Sequence, residues 1–190
     1  VCARRGTAAT ATGDDGDGSG PGDGSDPPAT FEDARVTFHV KGHPTFVSDA
    51  MDKDVRGTVY VMQQSENAEI AAMGRRWATH LSTGAWVIAP NNAWAQPQPL
   101  WDLPSDVFDA LRAEDVVVLK GDANYRRLLG DRRWDFSSRF SDVAAYFPTS
   151  LLALRTLKAE IACGIAAEQV ERAKRENPHG WLVSGAYGVA

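Results

Sequence analysis

A short apolar run that ends in a dense polar cluster is the feature that most constrains the fold of this chain. Residues 116–119 read Val-Val-Val-Leu, and Lys120 and Gly121 follow directly. Such a run, rich in β-branched residues and closed by glycine, predicts a buried strand with a sharp exit. In open α/β sheets, ligands bind at the carboxyl ends of such strands. The polar residues that come next are therefore the first candidates for a ligand site.

The cluster after this strand combines several kinds of hydrogen-bonding chemistry in six residues. It supplies a carboxylate, an amide, a phenol and two guanidinium groups, from Asp122, Asn124, Tyr125, Arg126 and Arg127. This mixture suits a small molecule that carries both phosphate and hydroxyl groups. The alternative is an ordinary turn followed by solvated arginines, because Asp, Asn and Gly are common turn residues.

A second apolar run ends in cationic residues. Residues 151–154 read Leu-Leu-Ala-Leu, and Arg155 and Lys158 follow. Arginine offers a planar pair of donors to an anion and lysine offers a point charge, so the two strand ends together predict one anion site. The alternative is a strand exit with ordinary surface charges.

The remaining apolar patterns alternate between strand and helix periods. We predict strands at residues 36–40, 85–88, 115–119, 151–154 and 181–183, and helices at residues 66–81, 106–112, 125–129 and 166–176. A short apolar approach at residues 45–47 places Asp49 at the exit from a strand into a loop. Alternation of this kind predicts a doubly wound α/β sheet.

Charge and cysteine content narrow the class of protein. The net charge is −5 and the basic residues are dispersed, which argues against a nucleic-acid partner. No stretch approaches the roughly 20 apolar residues of a membrane span. The two cysteines give neither a disulfide framework nor a zinc spacing, so a reducing, cytoplasmic location is the default expectation.

The first thirty residues have the composition of a disordered tail. They contain seven of the 17 glycines, five aspartates and three prolines, and no aromatic residue. Such a segment buries too little apolar surface to offset the entropy of ordering it. We therefore predict a Gly/Asp-rich tail at residues 1–30 and one folded domain at residues 31–190.

Five segments of the folded part resemble the C-terminal part of the damage-control metal-dependent phosphatases. The resemblance is to the subfamily with an Arg-Thr-x-Lys motif, which includes the so-called acidic residue methyltransferases. The segments occur in the expected order at residues 37–41, 46–49, 119–126, 154–158 and 181–183. The resemblance implies a Rossmann-like three-layer α/β/α sandwich that hydrolyses phosphate esters of small sugars.

The same resemblance implies roles for individual residues. Asp49 matches a metal ligand, and Lys158 matches a phosphate-contacting lysine. The resemblance implies substrate contacts from Asp122, Asn124, Tyr125, Arg126 and Lys158, and the anion site predicted from the strand ends adds Arg155. The implied cofactor is a divalent metal, Mn²⁺ or Mg²⁺, with Ni²⁺ and Co²⁺ as alternatives. The implied partner is a small sugar phosphate, and the nucleophile stays unassigned.

One departure from the family pattern keeps three functions open. The family takes further metal ligands from an Asp-Asn pair at the end of an earlier strand, and this sequence contains no Asp-Asn pair. We therefore expect a domain that is incomplete at its N-terminal side. The alternatives are a metal-dependent sugar-phosphate phosphatase, a protein-glutamate O-methyltransferase, and a non-catalytic remnant that binds phosphorylated sugars.

Overall fold

The fold is built on one mixed sheet. The computed structural model describes the backbone of residues 2–5 and the whole of residues 34–190. The described strands are β1 (Cys2–Arg5), β2 (Ala34–Lys41), β3 (Trp86–Asn91), β4 (Val116–Lys120), β5 (Ser150–Thr156) and β6 (Gly188–Val189). Their order in the sheet is β3-β2-β1-β4-β5-β6. Four residues of the predicted tail thus form a strand, and the rest of that prediction lies outside the described residues.

β1 lies between β2 and β4 and pairs four of its residues with β2 and two with β4. β1 runs antiparallel to both β2 and β4, so β2 and β4 point in the same direction. β2 also pairs with β3 in parallel, and β4 pairs with β5 in parallel. The pairings of β1 reach only Thr37 of β2 and Val117 of β4. A large cavity opens beyond this point, toward the carboxyl ends of β2 and β4.

In residues 34–190, six helices cover the two faces of the sheet. They are α1 (Asp52–Gln63), α2 (Ala68–Thr83), α3 (Ser105–Arg112), α4 (Asp122–Leu128), α5 (Phe140–Val143) and α6 (Ala167–Glu176). Short 3₁₀ turns lie at Asn92–Ala95 and Leu100–Asp102. No helix in residues 34–190 is long and apolar enough to cross a membrane.

Local capping chemistry explains where the first two helices begin and end. The Met51 amide donates to Asp54 Oδ2 at 2.9 Å, which starts α1. The Asn67 side chain accepts from the amides of Glu69 and Ile70 and caps α2, and Gly84 ends that helix with φ at +78°. Side-chain oxygens at N-caps and left-handed glycines at C-termini satisfy backbone groups that have no partner within the helix.

Helices pack on opposite faces at the two ends of the sheet. Around β2 and β3, the α2 rings Trp77 and His80 pack against Trp86, which also contacts Phe38. Around β4 and β5, the buried core lies on the face that carries Val117 and Leu119, together with residues of α3 and α4. Helices on both faces make the predicted three-layer α/β/α sandwich, and that prediction is confirmed.

Two local predictions are wrong. Residues 181–183 form turns instead of a strand, because Trp181 turns inward against Leu157 and Val170, and the last strand is β6. Asp49 does not follow a strand directly. It lies in the loop between β2 and α1, where the Phe46 side chain is fully exposed and so cannot serve as an apolar strand residue.

Candidate active site

The candidate site is a cavity of about 990 Å³ at the carboxyl ends of β2, β4 and β5. Its inner wall is apolar and includes Phe38, Leu111 and Val117, whereas charged side chains collect at the strand ends. The charged and amide-bearing lining residues are Lys41, Asp49, Lys120, Asp122, Asn124, Arg155 and Lys158. Five of the seven site residues predicted from the sequence therefore line one cavity.

The Asp49 carboxylate joins the two sides of this cavity. Asn124, in the first turn of α4, donates from Nδ2 to Asp49 Oδ1 at 3.0 Å. Gly121 precedes α4 with φ at +116°, and a Cβ there would lie 2.8 Å from Asp49 Oδ1. Glycine thus allows both the backbone conformation and the close approach. Burial raises the pKa of Asp49, against the opposing effect of the nearby Lys41 cation.

Lys41 fixes the loop that carries Asp49. It is buried, with 4% of its surface exposed, at the last position of β2. Its Nζ donates to Thr45 Oγ1 at 3.1 Å and to the Val47 carbonyl at 2.6 Å. Sequence reasoning missed this residue as a site residue, although it closes the 37–41 segment of the family resemblance.

Arg127, the second arginine of the predicted polar cluster after β4, is another buried cation near Asp49. Its Nε donates to the Gln98 carbonyl at 2.8 Å and its Nη2 to the Ala93 carbonyl at 3.0 Å, and its guanidinium lies over the Trp94 ring. Burial lowers the pKa of Arg127, and the Asp49 charge opposes that shift. Arg127 therefore contributes positive potential behind the Asp49 carboxylate.

Arg155 organises the other side of the site. Its side chain has no exposed surface, while the Asp122 side chain remains 24% exposed. Arg155 Nε donates to Asp122 Oδ1 at 2.8 Å, Nη2 donates to the Ala159 carbonyl at 2.9 Å, and Nη1 donates to the Ile161 carbonyl. The guanidinium also stacks over the Tyr125 ring at 4.8 Å.

Two predicted substrate-binding residues do not line this cavity. Tyr125 is buried in the core with 2% of its surface exposed, and its hydroxyl lies 4.0 Å from Cys163 Sγ. Arg126 points to the surface, where Nε and Nη2 donate to the two carboxylate oxygens of Asp131 at 2.7 and 2.9 Å. The sequence pattern placed both residues next to Asp122, but the turn of α4 separates them from it.

The oxygen atoms of this site fit a hard divalent cation, but the described residues would supply only part of its ligands. Asp49 provides a carboxylate oxygen, which Mg²⁺ and Mn²⁺ prefer, and Mg²⁺ is often held by one or two carboxylates together with substrate phosphate and water. In residues 34–190, no group of three His, Cys, Asp or Glu side chains is placed to hold a metal ion. Asp49 is thus the residue that would anchor such an ion.

Fold and site together define an α/β/α domain with one cavity that carries carboxylates and lysines at the strand ends. Residues 30–173 match the family model of the damage-control phosphatase ARMT1-like domain. The chain belongs to this family.

Curated relatives agree with that assignment. Damage-control phosphatase ARMT1 of Rattus norvegicus is 35% identical over 158 residues, and the proteins of the same name from Bos taurus and Homo sapiens are 34% and 32% identical. These matches cover 81–82% of this chain. The chain spans about 36% of the length of each of these relatives.

Proposed function

We propose that this domain binds a small phosphorylated sugar and takes part in the metal-dependent hydrolysis of its phosphate ester. The observation that carries the proposal is the single cavity at the strand ends, in which Asp49 and Asp122 meet Lys120 and Lys158. Membership of a phosphatase family supports the reaction class. Lysines supply charge for a phosphate, and carboxylates supply acceptors for hydroxyl groups and oxygen ligands for a metal.

The phosphate would bind at the lysines. Lys120 ends β4 and Lys158 follows β5, so both project from neighbouring parallel strands into one cavity. Both residues are solvent-exposed, which leaves their ammonium groups available to a ligand. Their charges would stabilise the phosphoryl oxygens as negative charge redistributes toward the leaving group.

The sugar hydroxyls would bind at the start of α4. One carboxylate oxygen of Asp122 accepts a hydrogen bond from Arg155. The Asp122 side chain is partly exposed, so it can also accept from a sugar hydroxyl. Asn124 is oriented by its bonds to Asp49 and to the Lys120 carbonyl at 3.3 Å. These two side chains would therefore orient the ester oxygen relative to the lysines.

Asp49 would anchor the divalent ion, Mn²⁺ or Mg²⁺ with Ni²⁺ and Co²⁺ as alternatives, at the side of the cavity nearest β2. When bound, such an ion supplies charge neutralisation on the phosphoryl group and an activated water. Asn124 donates to one Asp49 oxygen and so fixes the orientation of the other. Lys41 holds the loop that positions this carboxylate.

Phosphate release from a panel of hexose phosphates tests this function. The purified protein is assayed with Mn²⁺, Mg²⁺ or a chelator, beside Asp49→Ala and the control Asp109→Ala, which changes an exposed carboxylate on α3. We expect metal-dependent turnover that is lost in Asp49→Ala and kept in Asp109→Ala. Absence of turnover from demonstrably folded protein would contradict the proposal.

A non-catalytic sugar-phosphate-binding domain is the second candidate. The observation that favours it is that Asp49 is the one predicted metal ligand of the described residues and no group of three ligands surrounds it. The discriminating measurement is calorimetric titration of a hexose phosphate in the presence of a chelator. Binding without turnover under any metal condition would support this candidate over the phosphatase.

A further inference from the structure

Arg155 makes three hydrogen bonds to protein acceptors, one more than Lys41 or Arg127. Its three nitrogens donate to Asp122, Ala159 and Ile161, and its side chain has no exposed surface. Three of its five N–H groups donate to protein acceptors, and the other two are out of reach of a ligand because no part of the side chain is exposed. Arg155 therefore forms part of the cavity wall without offering its guanidinium to a ligand.

The acceptors of Arg155 belong to two segments that the proposed function uses. Asp122 is in the first turn of α4, whereas Ala159 and Ile161 follow Lys158 in the turn after β5. A planar guanidinium holds its acceptors in a fixed relative geometry, unlike a flexible ammonium. The side chain thus ties the hydroxyl-binding carboxylate to the turn that carries the phosphate-binding lysine.

We propose that Arg155 is a positioning residue, which sets the placement of Asp122 relative to Lys158 without itself touching the substrate. The proposal rests on the proposed function for the roles of Asp122 and Lys158, but its structural content is independent of turnover. It assigns the arginine of the Arg-Thr-Leu-Lys segment to a bridge between two segments, and this explains why a charged residue occupies a buried position next to the cavity.

The substitution Arg155→Lys tests the bridge because it keeps the positive charge and removes the planar geometry. The matched control is Arg133→Lys, since Arg133 pairs with Glu160 in the same turn at 3.2 Å but is 84% exposed. The first readout is amide hydrogen exchange in residues 122–126 and 157–161. In these segments the Tyr125 and Leu157 amides donate to Gly121 and Tyr187 carbonyls.

The second readout is the dissociation constant for inorganic phosphate, measured by calorimetry. We expect Arg155→Lys to raise exchange in both segments together and to weaken phosphate binding by about 10- to 100-fold, as loss of a supporting contact commonly does. Arg133→Lys is expected to leave both readouts unchanged. Turnover of hexose phosphates is measured separately on the unmodified protein, so failure of the phosphatase function is distinguished from failure of the bridge.

Two results would overturn the bridge. Weakened phosphate binding with unchanged exchange would show that Arg155 contacts the ligand directly, and unchanged exchange with unchanged binding would show no role at all. If Arg155→Lys does not fold, Asp122→Asn replaces it, because Asn keeps an acceptor for Arg155 but removes the charge. The bridge then requires increased exchange in residues 157–161, and an increase confined to residues 122–126 would contradict it.

Discussion

A buried cation stabilises each side of the site, but the cation is a lysine on one side and an arginine on the other. On the β2 side, the buried Lys41 donates to the loop that carries Asp49, and both of its acceptors lie within six residues. On the β4–β5 side, the buried Arg155 joins α4 to the turn after β5. An ammonium thus stabilises one local loop, whereas a guanidinium connects segments distant in sequence. We therefore expect the β4–β5 side to be the more rigid of the two.

Arg155→Met should have the largest effect on stability. It removes three hydrogen bonds and leaves the Asp122 carboxylate without its cation, and breaking a buried pair in this way costs about 3 kcal/mol. We expect a cost at the low end of the range for broken buried ion pairs because the Asp122 side chain is partly exposed. Urea unfolding followed by circular dichroism measures the loss. A change below the error of the extrapolation would show that the two segments do not depend on Arg155.

Lys41→Met should have a smaller and more local effect. It removes two hydrogen bonds, one to a carbonyl, and we expect a loss of about 1–2 kcal/mol. Hydrogen exchange should increase in residues 42–50 and stay unchanged in residues 157–161. If the second segment also loosens, the two sides are coupled and the comparison between them fails.

Gly121→Ala tests the contact that links the two sides. The new methyl group would adopt a strained positive φ and approach Asp49 Oδ1, so we expect a stability loss of about 1–3 kcal/mol. The proposed metal-dependent phosphatase activity should fall with it. The control is Gly57→Ala in α1, where a Cβ meets nothing within 4 Å and about 0.5–1 kcal/mol of stabilisation is expected. Equal effects of the two substitutions would rule out a special role for Gly121.

Arg126→Gln should have the smallest effect on stability. The Arg126–Asp131 pair has the bidentate geometry of a strong contact, but both side chains are about half exposed, and solvent screening limits it to about 0.5 kcal/mol. The pair lowers the pKa of Asp131 below its ordinary value of 3.8. Its contribution is therefore present above that pH and is lost as the pH falls through the lowered pKa.

The measurement is unfolding of both proteins at pH 7 and near pH 2, and the difference between them should be smaller at the lower pH. A difference of the same size at both pH values would exclude the ion pair as its source. Arg126→Gln also tests the predicted substrate contact of Arg126, because a loss of phosphate affinity would place this surface residue in the binding site.

The strand ends could be predicted from the sequence because they depend on a local pattern of apolar residues followed by polar ones. The buried run at residues 116–119 and the polar residues after it predicted both β4 and the position of Asp122. The organising roles of Lys41 and Arg127 were not readable, since each depends on acceptors in loops whose path is set by tertiary packing. The same limit applies to residues 181–183, where burial of Trp181 against Leu157 overrides a strand-like pattern.

Lys158 is the residue on which the proposed phosphate site depends most directly. The measurement is calorimetric titration of a hexose phosphate into the unmodified protein, Lys158→Gln and the control Lys174→Gln, which changes an exposed lysine of α6 that pairs with Glu171. We predict at least about tenfold weaker binding for Lys158→Gln, the equivalent of one charge-assisted hydrogen bond of about 1.5–3 kcal/mol, and unchanged binding for Lys174→Gln. Equal affinities of all three proteins would contradict a phosphate site at the end of β5.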